Sequence, residues 1–278
     1  MLRHQRKVRD FLLPPAPSVA VIISKIMSET ENTSSETTTS TPVEANSPQN
    51  GASSEKYKYE ILPEEYTNFD LSFKLIVIGD SGVGKSCLTN NAVKNTFDDS
   101  YNATVGFEFF TFNLKINDKV IKLQIWDTCG QELYRSLITN FYRNSSLAIM
   151  VYAINSKQSF QNIEMWLREL RTHSNPDAKV FLIGNKIDLE NERQITKEEG
   201  EQFCKENKIN GFMESSAKTG INAQKIFIEA AQTLYEDYLN YQKKTDEAGG
   251  ENADNKYTQD NTNKRITNKP KKKQTGCC

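Results

Sequence analysis

No apolar run in this sequence approaches the roughly 20 residues a helix needs to cross a bilayer. Cysteine is sparse: Cys87, Cys129, Cys204, Cys277 and Cys278 form an odd, scattered set without a C-x-x-C pair. That spacing argues against a disulfide framework or a zinc site and makes the reducing cytosol the expected compartment. Net charge is only −1 over 278 residues, and no long basic stripe crosses the apolar-rich part. Nucleic acid is therefore not an expected partner. Lysine and arginine vanish from Ser28 to Ser54, where Ser, Thr, Glu, Asn and Pro dominate. Such a stretch cannot bury enough surface to offset its ordering entropy, so residues 1–56 are expected to be a disordered extension.

Within that extension Arg3, Arg6, Lys7 and Arg9 precede a short apolar run, Val19 to Ile23, in the manner of a targeting segment. Pro14, Pro15 and Pro17 interrupt the approach, and no clear cleavage site follows. Two readings stand: a targeting role, or a translation start at Met27 with residues 1–26 absent from the protein.

The aromatics concentrate between Tyr57 and Tyr241, which predicts one core of about 170–180 residues. Phe73 to Ile78, Leu147 to Ile154 and Lys179 to Ile183 are near-continuous apolar runs, as strands buried on both faces should be. Phe107 to Ile116 and Val120 to Trp126 flank the turn signal Asn117-Asp118 and predict a hairpin. Helical spacing appears from Phe160 to Leu170, from Thr196 to Glu206 behind a Thr196/Glu199 capping box, and from Ile221 to Leu239. Gly211 to Glu214 reads as a short strand. Strands alternating with helices predict an α/β fold with a mostly parallel, six-stranded sheet flanked by helices. Residues 57–71 are an unplaced lead-in, 72–240 the domain, and 241–278 a flexible tail.

The strongest chemical signal is Gly79-Asp80-Ser81-Gly82-Val83-Gly84-Lys85-Ser86, which satisfies G-x-x-x-x-G-K-[ST] between a strand and a helix start. Backbone N–H groups from Ser81 through Cys87 would cradle a polyphosphate, helped by the helix N-terminus. Lys85 would bring its charge to the outer phosphates and Ser86 its hydroxyl to magnesium. Asp127, ending an apolar strand in Trp126-Asp127-Thr128-Cys129-Gly130-Gln131-Glu132, is a second magnesium-holding candidate. Gly130 gives a backbone N–H access to the outer phosphate, and Gln131 can orient the attacking water. Thr104 is the candidate second hydroxyl on the metal. In Asn185-Lys186-Ile187-Asp188, the final Asp can accept from two donors on a guanine edge, a donor pair that adenine lacks. Ser215-Ser216-Ala217-Lys218 supplies a second loop whose backbone could meet the guanine carbonyl, and Phe97 is placed to contact the base.

Together the phosphate loop, Thr104, DTCGQE, NKID and SSAK resemble a Ras-superfamily GTPase across roughly residues 72–240, with the small G-protein form of the P-loop NTPase fold. Lys122-Leu123-Gln124-Ile125-Trp126 matches a hallmark of the Rab branch, and Phe107-Glu108-Phe109, Leu133 to Leu137 and Phe141-Tyr142-Arg143 are near matches. The resemblance implies an effector-reading patch of Phe109, Trp126 and Phe141. It also implies exchange factors, activating proteins, prenylation and recycling chaperones, and residence on the cytoplasmic face of endomembranes with cycling through the cytosol. Cys277-Cys278 resembles the Rab double-geranylgeranyl signal, and two chains anchor where one is marginal. Lys269 and Lys271 to Lys273 would favour an anionic leaflet, although the same run is also a nuclear-signal pattern. About 36 flexible residues are expected between helix and lipid, a reach of roughly 30–36 Å.

Departures from the Rab pattern are Cys129 for Ala, Ala153 for Asp, Asn144 for Gly and Phe107 for a smaller residue. Cys129 beside the outer phosphate opens the alternative of a GTP-bound tether with impaired hydrolysis. An ATP-dependent phosphotransferase fits Asp188 poorly. No Arg or Lys occurs from Phe97 to Thr104, so unaided hydrolysis is expected near 10⁻⁴ per second, a barrier of roughly 22 kcal/mol. An activating protein's arginine would supply up to ~10⁵-fold.

Overall fold

The computed structural model describes residues 57–99, 106–128 and 141–248, all of which fall within one unit, Ser54–Cys278. Its strands are β1 (Tyr59–Leu62), β2 (Leu71–Ile78), β3 (Phe107–Ile116), β4 (Lys119–Thr128), β5 (Leu147–Ala153), β6 (Lys179–Asn185) and β7 (Gly211–Glu214). Helices α1 (Lys85–Lys94), α2 (Lys157–Gln161), α3 (Ile163–His173), α4 (Lys197–Glu206) and α5 (Ala223–Ala248) lie between and after them, with a 3-10 turn at Ile187–Glu192. The sheet order is β1-β3-β4-β2-β5-β6-β7. β3 is antiparallel to both β1 and β4, and every other pairing is parallel.

Strand alternation divides the core between the two faces of the sheet. Leu71, Phe73, Leu75 and Val77 of β2 pack with Leu147, Ile149 and Val151 of β5 against α1 and α5. Ile76, Ile78, Ala148, Met150 and Tyr152 point the other way, against Ile163, Trp166, Leu167 and Leu170 of α3. β2 and β5 are therefore apolar at nearly every position, as the sequence predicts for strands covered on both sides.

The sheet has seven strands, one more than the six expected. The extra strand is β1, from the lead-in that sequence analysis left unplaced. It pairs with β3 from Tyr59↔Ile116 to Leu62↔Asn113. Asn113, only 1% exposed, shares its amide among the carbonyl oxygens of Pro63, Glu64 and Tyr66 at 2.9, 3.0 and 3.3 Å. Tyr57 meets Tyr235 of α5 edge to face, with ring centroids 5.5 Å apart.

Two helices also differ from expectation. The run from Phe160 to Leu170 is split at Asn162, whose φ of −70° and ψ of −15° stay in the helical region. α5 continues past Leu239 to Ala248, because Tyr241 still packs on the core and Thr245 bonds back to Tyr241 and Gln242. Residues 241–248 are thus helical, leaving residues 249–276 before Cys277. The Thr196/Glu199 capping box is present as predicted.

Because Asn113 holds three carbonyl groups from one buried amide, Asn113→Ala should lower stability by about 1–3 kcal/mol in urea unfolding. It should also open residues 57–70 to limited proteolysis; unchanged midpoint and cleavage would contradict the role given to that amide.

Candidate functional site

The sequence motifs converge at the carboxyl ends of the parallel strands, where open α/β sheets bind their ligands. β2 runs into the phosphate loop, β4 ends at Asp127-Thr128, β6 at Asn185, and β7 just before Ser215.

The loop after β2 is shaped by close packing. Gly79 has φ +140°, and a Cβ there would lie 2.2 Å from the Val151 carbonyl oxygen. Gly84 has φ +94° and starts α1 without a side-chain cap; α1 has no acidic residue in its first turn. That terminus offers a phosphate the positive end of the dipole and no competing carboxylate of its own. Lys85 is buried and donates to the carbonyl oxygens of Gly79 at 3.0 Å and Asp80 at 2.8 Å. Val83 is buried, whereas Ser81 and Gly82 are exposed. Cys87 is half-buried, and burial pushes its thiol pKa up.

Ser86 donates its hydroxyl proton to Oδ2 of Asp127, across from the loop. Oδ1 of Asp127 is buried with no hydrogen-bond partner. Burial pushes the Asp127 carboxyl up to about 7, opposed by the Ser86 hydrogen bond and the Lys85 charge. A buried carboxylate oxygen with nothing to bond is costly, and a hard divalent cation would satisfy it. The donor set of Ser86 and Asp127 therefore fits magnesium, which would neutralise phosphate charge there. Thr104, Gly130 and Gln131 lie outside the described residues.

Asn185 joins the two halves of the site. Its Nδ2 donates to the Val83 carbonyl at 2.9 Å, and its Oδ1 accepts from the Ala217 N–H at 3.0 Å and the Ser215 hydroxyl at 3.3 Å. A Cβ on Gly84 would come within 2.5 Å of that Nδ2, so the glycine is what lets the amide through. Sequence analysis places Asn185 in the guanine-reading motif; in the structure its amide also braces one loop against the other. Ser216 links Asp188 to its own loop, donating to Oδ1 of Asp188 and accepting from the Thr219 N–H at 3.0 Å. The N–H groups of Ser216 and Ala217 are spent on the Ile221 carbonyl and on Asn185, and Lys218, next in this loop, is exposed. Lys186, half-buried, holds a left-handed φ of 71° at the turn into Asp188. Phe97 is 36% exposed and outside the core, where a ligand ring can reach it.

Three supports have no sequence signal. Asn91 of α1 donates to the Ala217 carbonyl at 3.0 Å. Arg193 spans Glu190, just after Asp188, and Glu214, just before Ser215, at 2.7 and 2.6 Å. Those two carboxylates raise the Arg193 pKa, chiefly through the hydrogen bonds to Glu190 and then Glu214. Asn222 donates to the Glu214 carbonyl at 2.7 Å. The Asn91 partner lies 126 residues away, and the Arg193 and Asn222 contacts join separate elements around the end of β7, so the folded sheet is what reveals them.

The aromatic patch forms beside Asp127. Phe109 and Phe141 each lie 5.2 Å from Trp126, centroid to centroid. Phe107 joins as a fourth ring, 5.4 Å from Trp126 and 4.7 Å from Phe141. Phe109 is 49% exposed, whereas Trp126 and Phe141 are half-buried against the core. Nζ of Lys74 lies 5.5 Å from the Trp126 centroid and 5.9 Å from that of Phe141, and donates to the Arg143 carbonyl at 3.0 Å.

The family model for the Ras family matches residues 74–236. The chain belongs to the Ras family, and its fold is that of the P-loop GTPases. Members of this family are small GTPases that bind GTP with magnesium, hydrolyse it, and work with exchange factors, activating proteins and effectors.

Asn185→Ala should weaken GDP binding about tenfold or more in calorimetric titration, since a buried carbonyl and N–H lose their shared partner. An unchanged affinity would contradict the brace. Burial also holds the Lys74 amine at about 8, down from 10.5. Between those values the folded form releases its proton first, so stability should rise with pH across the window. Lys74→Met should abolish that rise, checked by urea midpoints at about pH 7.5 and 9.5. Parallel wild-type and variant midpoints would contradict it.

Proposed function

We propose that this chain is a Rab-type switch governing vesicle-mediated membrane traffic, with GTP- and GDP-bound forms read by different partners. The observation that carries the proposal is the aromatic platform of Phe107, Phe109, Trp126 and Phe141, which adjoins Asp127 through the peptide bond of Trp126. A surface joined this directly to a metal-holding carboxylate can change with the nucleotide, and an apolar, aromatic surface is what a partner helix buries. The Rab pattern Lys122 to Trp126 supports the same reading.

In this proposal Asp188 Oδ2 and the Lys218 backbone read guanine, Phe97 covers the base, and Lys186 packs beside it. Thr104 and Gly130 sense the outer phosphate, and Gln131 orients the attacking water. Cys277 and Cys278 carry the lipid that holds the protein on the cytoplasmic face of endomembranes, with chaperones returning it through the cytosol.

Single-turnover phosphate release from the GTP complex tests the switch. The wild type should hydrolyse near 10⁻⁴ per second, and Gln131→Leu should be at least about tenfold slower. Equal rates would favour a GTP-bound tether limited by Cys129, in which case Cys129→Ala should restore turnover. Fluorescence imaging of the chain with and without Cys277→Ser and Cys278→Ser tests the membrane half. Endomembrane signal that survives the double substitution would overturn the lipid anchor.

A further inference from the structure

Asp80 is the one charged residue between Gly79 and Lys85, and it is a carboxylate inside a loop shaped for an anion. A free acidic side chain there would repel the phosphates. The structure shows where it goes. Asn162 donates Nδ2–H to Oδ2 at 2.7 Å, and Trp166 donates its indole N–H to Oδ1 at 2.8 Å. Asn162 is the N-cap of α3, and the Trp166 N–H bonds to the Asn162 carbonyl at 3.1 Å, so both donors stand one turn apart on one helix face. Trp166 is only 1% exposed.

The opposite side of Asp80 faces the ligand-binding group. Its backbone carbonyl accepts from the Lys85 ammonium at 2.8 Å. A continuous path therefore runs from the Trp166 indole, through the Asp80 carboxylate and carbonyl, to the lysine that meets the phosphates. The helical end of that path is itself fixed. Ser159 of α2 caps the end of β5, accepting from the Ala153 N–H at 3.1 Å and donating to the Ser156 carbonyl at 2.8 Å. An apolar side chain at either donor position could fill the same space, but only a donor pair can turn the carboxylate away from the loop's interior and hold it there.

We infer that Asn162 and Trp166 are positioning residues for the nucleotide phosphates, acting through Asp80. This rests on the GTPase reading and adds the mechanism by which α3 fixes the phosphate loop. Loosening the clamp removes none of the hydrogen bonds that hold Asn185 and Ser216 in the base-side loops. It should therefore speed nucleotide release without changing base choice.

The test uses the full chain loaded with fluorescent GDP in magnesium, chased with unlabelled GDP. Trp166→Phe keeps an aromatic ring but loses the N–H, and Asn162→Ala removes the other donor outside the core. Each should raise the release rate about tenfold, the usual weight of one hydrogen bond to a charged group. The ratio of GDP to inosine diphosphate affinity should stay at the wild-type value. Release at the wild-type rate in Asn162→Ala would overturn the clamp, even should Trp166→Phe fail to fold. A base-affinity ratio that falls together with the release effect would also overturn it, because that marks general loosening. A wild-type chain that holds no guanine nucleotide would instead overturn the GTPase reading, and the clamp with it.

Discussion

The side-chain amide of Asn185 is the constraint on which the rest of the site depends. It leaves the end of β6 fully buried and reaches the phosphate loop at the Val83 carbonyl with its donor. With its acceptor it reaches the base-side loop at the Ala217 N–H. Without that amide a buried carbonyl and a buried N–H would both lack partners, which costs far more than the bonds gain when made. A nucleotide has a phosphate end and a base end several ångströms apart. One short side chain makes the two receiving loops a single object, and Gly84 is bare because that amide passes so close.

Everything around Asn185 reinforces the same rigid frame. Asn91 ties α1 to the base loop, Arg193 ties the Asp188 turn to the end of β7, and Asp80 ties the phosphate loop to α3. The parallel strands beneath are buried on both faces, so the ends that carry these residues have little freedom. At Asp127 the frame leaves a demand of a particular kind: a buried carboxylate oxygen with no partner. That unmet demand is one a cation would satisfy, and the aromatic platform begins at the preceding residue, Trp126. The frame is rigid around the phosphate and base loops, and the aromatic surface proposed to meet partners starts where a cation would act.

Much of this is legible in the sequence because the signals are local. The phosphate loop is continuous, and its constrained positions are set by sterics that Gly84 bears out through Asn185. The hairpin of β3 and β4 shows its turn at Asn117, which takes a left-handed φ of 51°. The capping box at Thr196 also sits within four residues. Where sequence reading fails, the deciding contact is distant. β1 is four residues of mixed polarity, held by a pairing with β3 and by Asn113, some 50 residues on. Phe107 reads as an ordinary strand aromatic until Trp126 and Phe141 are brought beside it. α5 runs into a polar stretch that looks like tail, since the apolar contact keeping it helical is a single tyrosine, Tyr241. Asn185 itself shows why residue type can be right and role incomplete: its motif is plain, but its partners lie 102 and 32 residues away.

The central claim is that the loops after β2, β6 and β7 form one pre-built receptor for a guanine nucleotide. Equilibrium titration of the full chain with fluorescent GDP in magnesium, followed by competition with GTP and ATP, tests it most directly. The account predicts a saturable one-to-one complex displaced by GTP and not by ATP. Failure to saturate with GDP, or displacement by ATP as effective as by GTP, would contradict it.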